Sequence, residues 1–292
     1  MKFKTLSAAL IAAFAVPAAF AAIAPGTSGN GELFLSVFDD AAKLSYTLDL
    51  GVTQNAFFTG GQKEAGAKFS WAVNDAAFAS FLSQTTAANL QWSVLAIDST
   101  GGTGKADGAT GNGGYRLFNT VRAGDESLVG TAINAKYFNG MGSSQAGTFF
   151  NAINTTGTHG APGVPLDFSI NGSSVNADSD PGNAYYGNGS VGLSTTLNGN
   201  LPFNMANAVG TVSNFYFITR SGGDQNGFVA VDQFDNSTKQ ASFLLAATPG
   251  LAGASSYSLT YTLAPVPEPE TFALMLAGMA IVGAMARRRF NG

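Results

Sequence analysis

Between positions 44 and 50 every second residue is large and apolar: Leu44, Tyr46, Leu48 and Leu50 alternate with Ser45, Thr47 and Asp49. Positions 257–263 repeat the pattern, with Tyr257, Leu259, Tyr261 and Leu263 set against Ser258, Thr260 and Thr262. Successive side chains of a strand point to opposite faces, so this period of two predicts half-buried strands with a polar outer face. Apolar or β-branched runs at 33–38, 91–97, 166–170, 214–219, 228–234 and 241–246 are further strand candidates. Ser221-Gly222-Gly223-Asp224-Gln225-Asn226 between two of them reads as a hairpin loop.

The punctuation agrees with a β architecture. Asn-Gly pairs begin at Asn139, Asn171, Asn188, Asn198 and Asn226, and an Asp-Gly pair at Asp107. Such pairs tolerate positive φ and make tight turns. Asn74 or Asp75 can cap a short helix that places Phe78, Phe81 and Leu82 on one face, and a second helical candidate covers 126–138. The stretches 99–114 and 173–200, rich in Gly, Asn, Ser and Thr, read as surface loops. The expected fold is mainly β: an antiparallel β-sandwich with short helical insertions and long Gly/Asn/Ser-rich loops, plus a C-terminal transmembrane helix.

The two ends differ from this body. Lys2 and Lys4 precede an uncharged apolar run at 6–16, Pro17 breaks it, and Ala19-Phe20-Ala21 supplies a small-x-small cleavage pattern. These are the three parts of a secretory signal peptide. A cut after Ala21 fits best, Ala22 is nearly as good, and a cut after Ala24 would place Pro25 beside it. At the far end, Val266-Pro267-Glu268-Pro269-Glu270-Thr271 is extended and acidic, because each proline restricts itself and its predecessor. Residues 272–286 follow without charge, then Arg287, Arg288 and Arg289. That apolar run spans roughly 22 Å as a helix, against a hydrocarbon core of about 30 Å. The three arginines form a cytoplasmic stop that leaves the body outside, and the small residues Ala273, Ala277, Gly278, Ala280, Gly283 and Ala284 suit close helix packing in lipid. The expected domains are a signal peptide (1–21), a β-rich extracytoplasmic body (22–263) and a C-terminal sorting segment (264–292).

The order Pro-Glu-Pro, short apolar helix, basic cluster resembles the PEP-CTERM sorting signal recognised by membrane proteases of the exosortase family. The resemblance covers roughly the last 27 residues. It implies a Gram-negative producer that makes extracellular polysaccharide or biofilm. It also implies export by the Sec machinery and signal peptidase, a transient stay in the inner membrane, a cut near the Pro-Glu-Pro element and passage to the cell surface or matrix. The sorting residues would be Val266, Pro267, Glu268 and Pro269. In this reaction the chain is substrate; the catalytic groups belong to the exosortase.

Composition narrows what the body can do. Of 18 acidic residues, Glu268 and Glu270 lie in the tail; of 14 basic ones, Lys2, Lys4 and the three tail arginines lie at the ends. The body keeps the other 16 acids and 9 bases, with no basic run, which argues against nucleic acid. With no cysteine, thiol catalysis, zinc-thiolate sites and iron–sulfur clusters are excluded.

Searches for chemistry yield little. A phosphate loop around Gly101-Gly102-Thr103-Gly104-Lys105 would need glycine at 99 and Ser or Thr at 106, where Ser99 and Ala106 stand. No Gly-x-Ser-x-Gly elbow occurs. His159, the only histidine, sits among small turn-forming residues and reads as an exposed loop histidine rather than a general base. Asn176, Asp178, Asp180 and Asn183 place oxygen ligands as the start of a calcium loop does, but Gly182 is one residue out of register and no glutamate stands at the twelfth position. Calcium at Asp178 and Asp180 is thus the one cofactor candidate, set against a turn-rich acidic loop; Asp232 and Asp235 form a lesser one. The body's glutamates, Glu32, Glu64 and Glu126, have no suggestive aromatic setting, and Trp71 and Trp92 read as core. The expectation is a non-enzymatic surface or matrix protein with a structural or adhesive role. A lectin-like module binding exopolysaccharide is the alternative, and a polysaccharide-processing hydrolase comes third.

Overall fold

The computed structural model describes residues 22–24, 30–63, 68–98, 116–129, 133, 146–159, 172–180, 182, 184–187, 193–197, 199–220, 229–236, 239–249 and 255–263. The strands are β1 (Glu32–Asp39), β2 (Leu44–Thr53), β3 (Lys68–Val73), β4 (Gln91–Asp98), β5 (Arg116–Thr120), β6 (Ser173–Ala177) and β7 (Asn207–Ala208). They continue as β8 (Val212–Arg220), β9 (Val229–Gln233), β10 (Asp235–Asn236), β11 (Lys239–Pro249) and β12 (Ser255–Leu263). Three helices are present: α1 (Gln54–Lys63), α2 (Ala76–Leu82) and α3 (Ala146–Ile153).

The fold is mainly β, as expected, and every ladder is antiparallel. One path of pairings, β3-β12-β11-β8-β5-β4-β1-β2-β6, runs through a curled twelve-stranded sheet. β8 makes the corner: Val212, Ser213 and Asn214 pair with β11, whereas Phe215 to Thr219 pair with β5. A strand that leaves one layer and enters the next is how orthogonally packed sheets turn their corners. The curl brings the two ends of the path together. Trp71 Nε1 in β3 donates to Leu50 O in β2 at 3.0 Å, and Tyr46 Oη in β2 donates to Asp75 Oδ2, just past β3, at 2.8 Å.

Inside the curl lies an aromatic core. Phe57 of α1 meets the rings of Phe69, Phe118, Phe215, Phe234, Phe243 and Tyr261, with centroids 4.8–6.4 Å apart. Aromatic pairs in this range add about 0.5–1.5 kcal/mol each beyond the area they bury. This packing explains why Gln54–Lys63 is helical despite Gly60 and Gly61, which weaken a helix by local propensity. Tyr261 Oη donates to Gly61 O at 2.8 Å, and a side chain at Gly61 would press on the Phe57 ring.

A second core covers the opposite face of the central strands. Phe34, Phe38, Leu95, Ile97, Leu117 and Ile218 point into it, and Phe149, Phe150 and Ile153 of α3 close it together with Tyr186, Leu193, Leu197, Phe203 and Met205. The alternation of β2 is therefore real, but its polar face is not solvated. Ser45, Thr47 and Asp49 are fully buried, Ser45 Oγ accepts from Tyr186 N at 3.1 Å, and Thr47 Oγ1 lies 3.3 Å from Ser36 Oγ.

Several sequence expectations are revised. The stretch 173–200 is not a surface loop throughout: it holds β6, and Ala184, Tyr185, Tyr186, Leu193 and Leu197 are buried. Helicity in 126–138 is limited, among the described residues, to a 3₁₀ turn at Glu126–Leu128. The strand candidate at 166–170 and the loop at 99–114 lie outside the described residues. Asp75 does cap α2, its Oδ1 accepting from Phe78 N at 2.7 Å. No helix among the described residues is long and apolar enough to cross a membrane; the tail, 264–292, is not among them.

Candidate functional site

The sorting residues Val266, Pro267, Glu268 and Pro269, and Arg287 to Arg289, fall outside the described residues. The structure does place what precedes them. β12 ends at Leu263, and it is an interior strand, paired over nine positions with β11 and over six with β3. Tension on the tail is thus delivered to a strand held on both edges, with Leu259, Tyr261 and Leu263 buried in the aromatic core.

A polar cleft of about 660 Å³ opens on the body, lined by Asp39, Asp40, Asn89, Gln91, Arg122 and Asn207 among others. It forms where the β1–β2 turn, the entry to β4 and the chain leaving β5 converge. Asp39 is committed to the scaffold: Oδ1 accepts from Ala41 and Ala42 N–H at 2.9 and 3.1 Å, and Oδ2 from Thr86 N–H at 3.0 Å. Burial opposes its charge, but the N–H groups of Thr86, Ala42 and Ala41 outweigh that effect and hold its carboxyl below the ordinary range. Asn207 is likewise spent, accepting from Ala123 N and donating to Val121 O. At the rim, Asp40 accepts from Tyr185 Oη at 2.8 Å, and Arg122 is exposed, with Nε 3.4 Å from Ala206 O. The cleft therefore offers one anionic and one cationic rim group with amides between them, which suits neutral, hydroxyl-rich ligands better than highly charged ones.

Two buried charged sites escaped the sequence reading. Arg116 and Asp98 pair within the β4–β5 ladder with no exposed side-chain surface: Nε and Nη2 of Arg116 donate to Asp98 Oδ2 at 2.9 and 2.6 Å, and Nη1 donates to Asn55 Oδ1 at 2.8 Å. On the other face of the sheet, Glu32 and Asp49 are buried where a bulge shifts the β1–β2 register around Gly51 (φ +65°). Asp49 Oδ1 accepts from Gly51 N–H at 2.8 Å, whereas Oδ2 is buried without a hydrogen-bond partner. Burial, reinforced by the Glu32 charge, pushes the Asp49 carboxyl well above its ordinary range against the opposing Gly51 N–H. Burial also raises Glu32, whose Oε2 accepts from Ala24 N at 2.8 Å. Asp49 stands in the polar half of an alternating strand, so local sequence assigned it to solvent.

The structure disperses the calcium candidates. Asp178 and Asp180 are exposed in the turn after β6, and Asp180 Oδ2 accepts from Ala177 N at 2.7 Å. Asn176 is turned inward, where its Oδ1 accepts from Ser174 Oγ at 2.9 Å; Asn183 lies outside the described residues. No group of three or more His, Cys, Asp or Glu side chains is arranged to hold a metal among the described residues. His159 is fully buried, not exposed, its N–H bonded to Thr156 O at 3.3 Å. Trp92 is fully buried and Trp71 half-buried, and both indole N–H groups are used within the fold; neither is presented for stacking on a sugar.

Neither the curated proteins nor the solved structures compared with this chain gave a match. The family comparison matched one segment: residues 265–289 fit the PEP-CTERM protein-sorting motif, beginning two positions after β12 ends. The chain thus carries the PEP-CTERM sorting motif, the mark of an exported protein processed by an exosortase through a membrane-anchored C-terminal step.

Proposed function

We propose that this protein is a structural or adhesive component of a Gram-negative cell surface or biofilm matrix, a folded β body released to the outside by exosortase processing. The observation that carries the reading is the match at 265–289 following directly on an interior strand. A cut near the Pro-Glu-Pro element would leave the body's ladders intact while freeing it from the membrane. Two cores and a curled sheet support a body that holds its shape outside the cell without disulfides, since the chain has no cysteine.

The test is intact mass and location of the mature protein in cells with and without the exosortase. Loss of residues beyond the Pro-Glu-Pro element, and arrival at the surface only with the enzyme, supports the reading. Survival of Arg287 to Arg289 in the wild type refutes it and makes the tail an ordinary anchor.

A carbohydrate-binding role is the second reading, and the polar cleft favours it. Of its two acids, Asp39 has both oxygens engaged and Asp40 accepts from Tyr185, an arrangement that favours holding a glycan over hydrolysing one. Calorimetric titration with the producer's own exopolysaccharide checks it. Binding that survives Gln91→Ala and Arg122→Ala unchanged would rule the cleft out.

A further inference from the structure

The first described residues, 22–24, are built into the body rather than trailing from it. Ile23 has no exposed surface and belongs to the second core with Phe34, Phe149, Phe150 and Ile153. The Asn154 side chain, just past α3, grips its backbone from both sides: Ile23 N donates to Asn154 Oδ1 at 2.9 Å, and Asn154 Nδ2 donates to Ile23 O at 2.9 Å. Ala24 makes a second reciprocal exchange, its N–H donating to Glu32 Oε2 at 2.8 Å and its carbonyl accepting from Glu32 N at 3.1 Å. Four hydrogen bonds and one buried side chain thus tie this tripeptide to the start of β1 and the end of α3.

This arrangement separates three cuts that the sequence leaves close together. A cut after Ala24 would remove Ile23 from the core, strand both ends of the Asn154 amide and take from the buried Glu32 carboxylate its Ala24 N–H donor. A cut after Ala22 would put the new α-ammonium on the nitrogen of a fully buried residue, where a charge is costly. A cut after Ala21 puts it on Ala22, which is partly exposed and can hydrate the charge. The small-x-small pattern at Ala19-Phe20-Ala21 serves that same bond.

We propose that the mature protein begins at Ala22 and that residues 22–24 form a docked terminal strap, clamped by Asn154 and Glu32, which shields the mature end from exopeptidases. Chain ends are ordinarily frayed and are trimmed where they open locally; an aminopeptidase must free Ile23 from the core and from Asn154 before it can remove it.

The proposal rests on the export reading, and one experiment separates the two. The full chain is expressed in a Gram-negative host, and the exported protein is analysed by N-terminal sequencing and intact mass, then challenged with an aminopeptidase that stops at Ala24-Pro25. The expected first residue is Ala22, and the wild type should keep Ala22 and Ile23 while Asn154→Ala loses them about tenfold faster. Asn154→Asp keeps the acceptor for Ile23 N and loses the donor to Ile23 O, so it should be trimmed at an intermediate rate and serves if Asn154→Ala does not accumulate. An exported protein starting at Ile23 or Pro25, or a wild type trimmed as fast as the variants, overturns the strap while leaving export standing. A product that retains Met1 overturns both.

Discussion

Replacing Arg116 by methionine would remove the cation from a site with no water to take its place. The change deletes two hydrogen bonds to Asp98 Oδ2, at 2.9 and 2.6 Å, and one to Asn55 Oδ1, at 2.8 Å. Asn55 is partly exposed and can turn to solvent, so its loss is small. Asp98 is 1% exposed, and its carboxylate would be left in the sheet beside an apolar side chain. Breaking a buried ion pair from one side costs about 3–5 kcal/mol, most of it the isolated charge rather than the lost attraction. For a body of this size each kcal/mol lowers Tm by about 2–4 °C, so Arg116→Met should lower it by about 6–20 °C. The same physics requires the double variant Asp98→Leu/Arg116→Met to recover most of that loss, because no uncompensated charge remains. Urea unfolding of the wild type, both single variants and the double closes the cycle and yields the coupling energy directly. If Arg116→Met costs less than about 1 kcal/mol, or the double is no better than the singles, the pair is solvated and the reasoning fails.

The remaining predictions address the other polar sites of the fold. Because burial raises Asp49 and Glu32 in the folded state, the folded chain binds more protons than the unfolded one above about pH 4. Their contribution to stability is full below the ordinary carboxylate range and is lost as pH rises through their raised values; Asp49→Asn should raise Tm at neutral pH and flatten its fall between about pH 4 and pH 8 in a calorimetric series. Asp75 caps α2 through Phe78 N and accepts from Tyr46 Oη, so Asp75→Ala should cost about 2–3 kcal/mol in urea unfolding, more than a solvent-facing cap. Gly157 has φ +57°, and a side chain there would collide with the Ser173 carbonyl and with Ser174, so Gly157→Ala should lower Tm by several degrees, whereas Ala substitution at Gly147, where nothing lies within 4 Å, should not. Phe57→Ala, which empties the ring cluster inside the curl, should cost about 3–5 kcal/mol and blunt the near-ultraviolet circular dichroism of the aromatic core.

What the amino-acid order determined by itself was whatever short-range physics can write. Period two set β2 and β12, the Asp75 side chain set the start of α2, and the terminal signals depend on the order of charge, apolar length and proline, not on any partner far away in the chain. Tertiary structure decided the rest. α1 is helical because Phe57 has six aromatic neighbours drawn from β3, β5, β8, β11, β12 and the β9–β10 junction, which outweighs Gly60 and Gly61. The period of β2 distinguishes two faces but cannot say whether the polar one meets water. The segment around Tyr186 covers it, and that turned Asp49 from a solvent-facing residue into a buried acid beside Glu32. His159, Asp98 and Arg116 were misjudged or passed over for the same reason. Burial is a property of what packs on top, and for each of them that cover comes from residues distant in sequence.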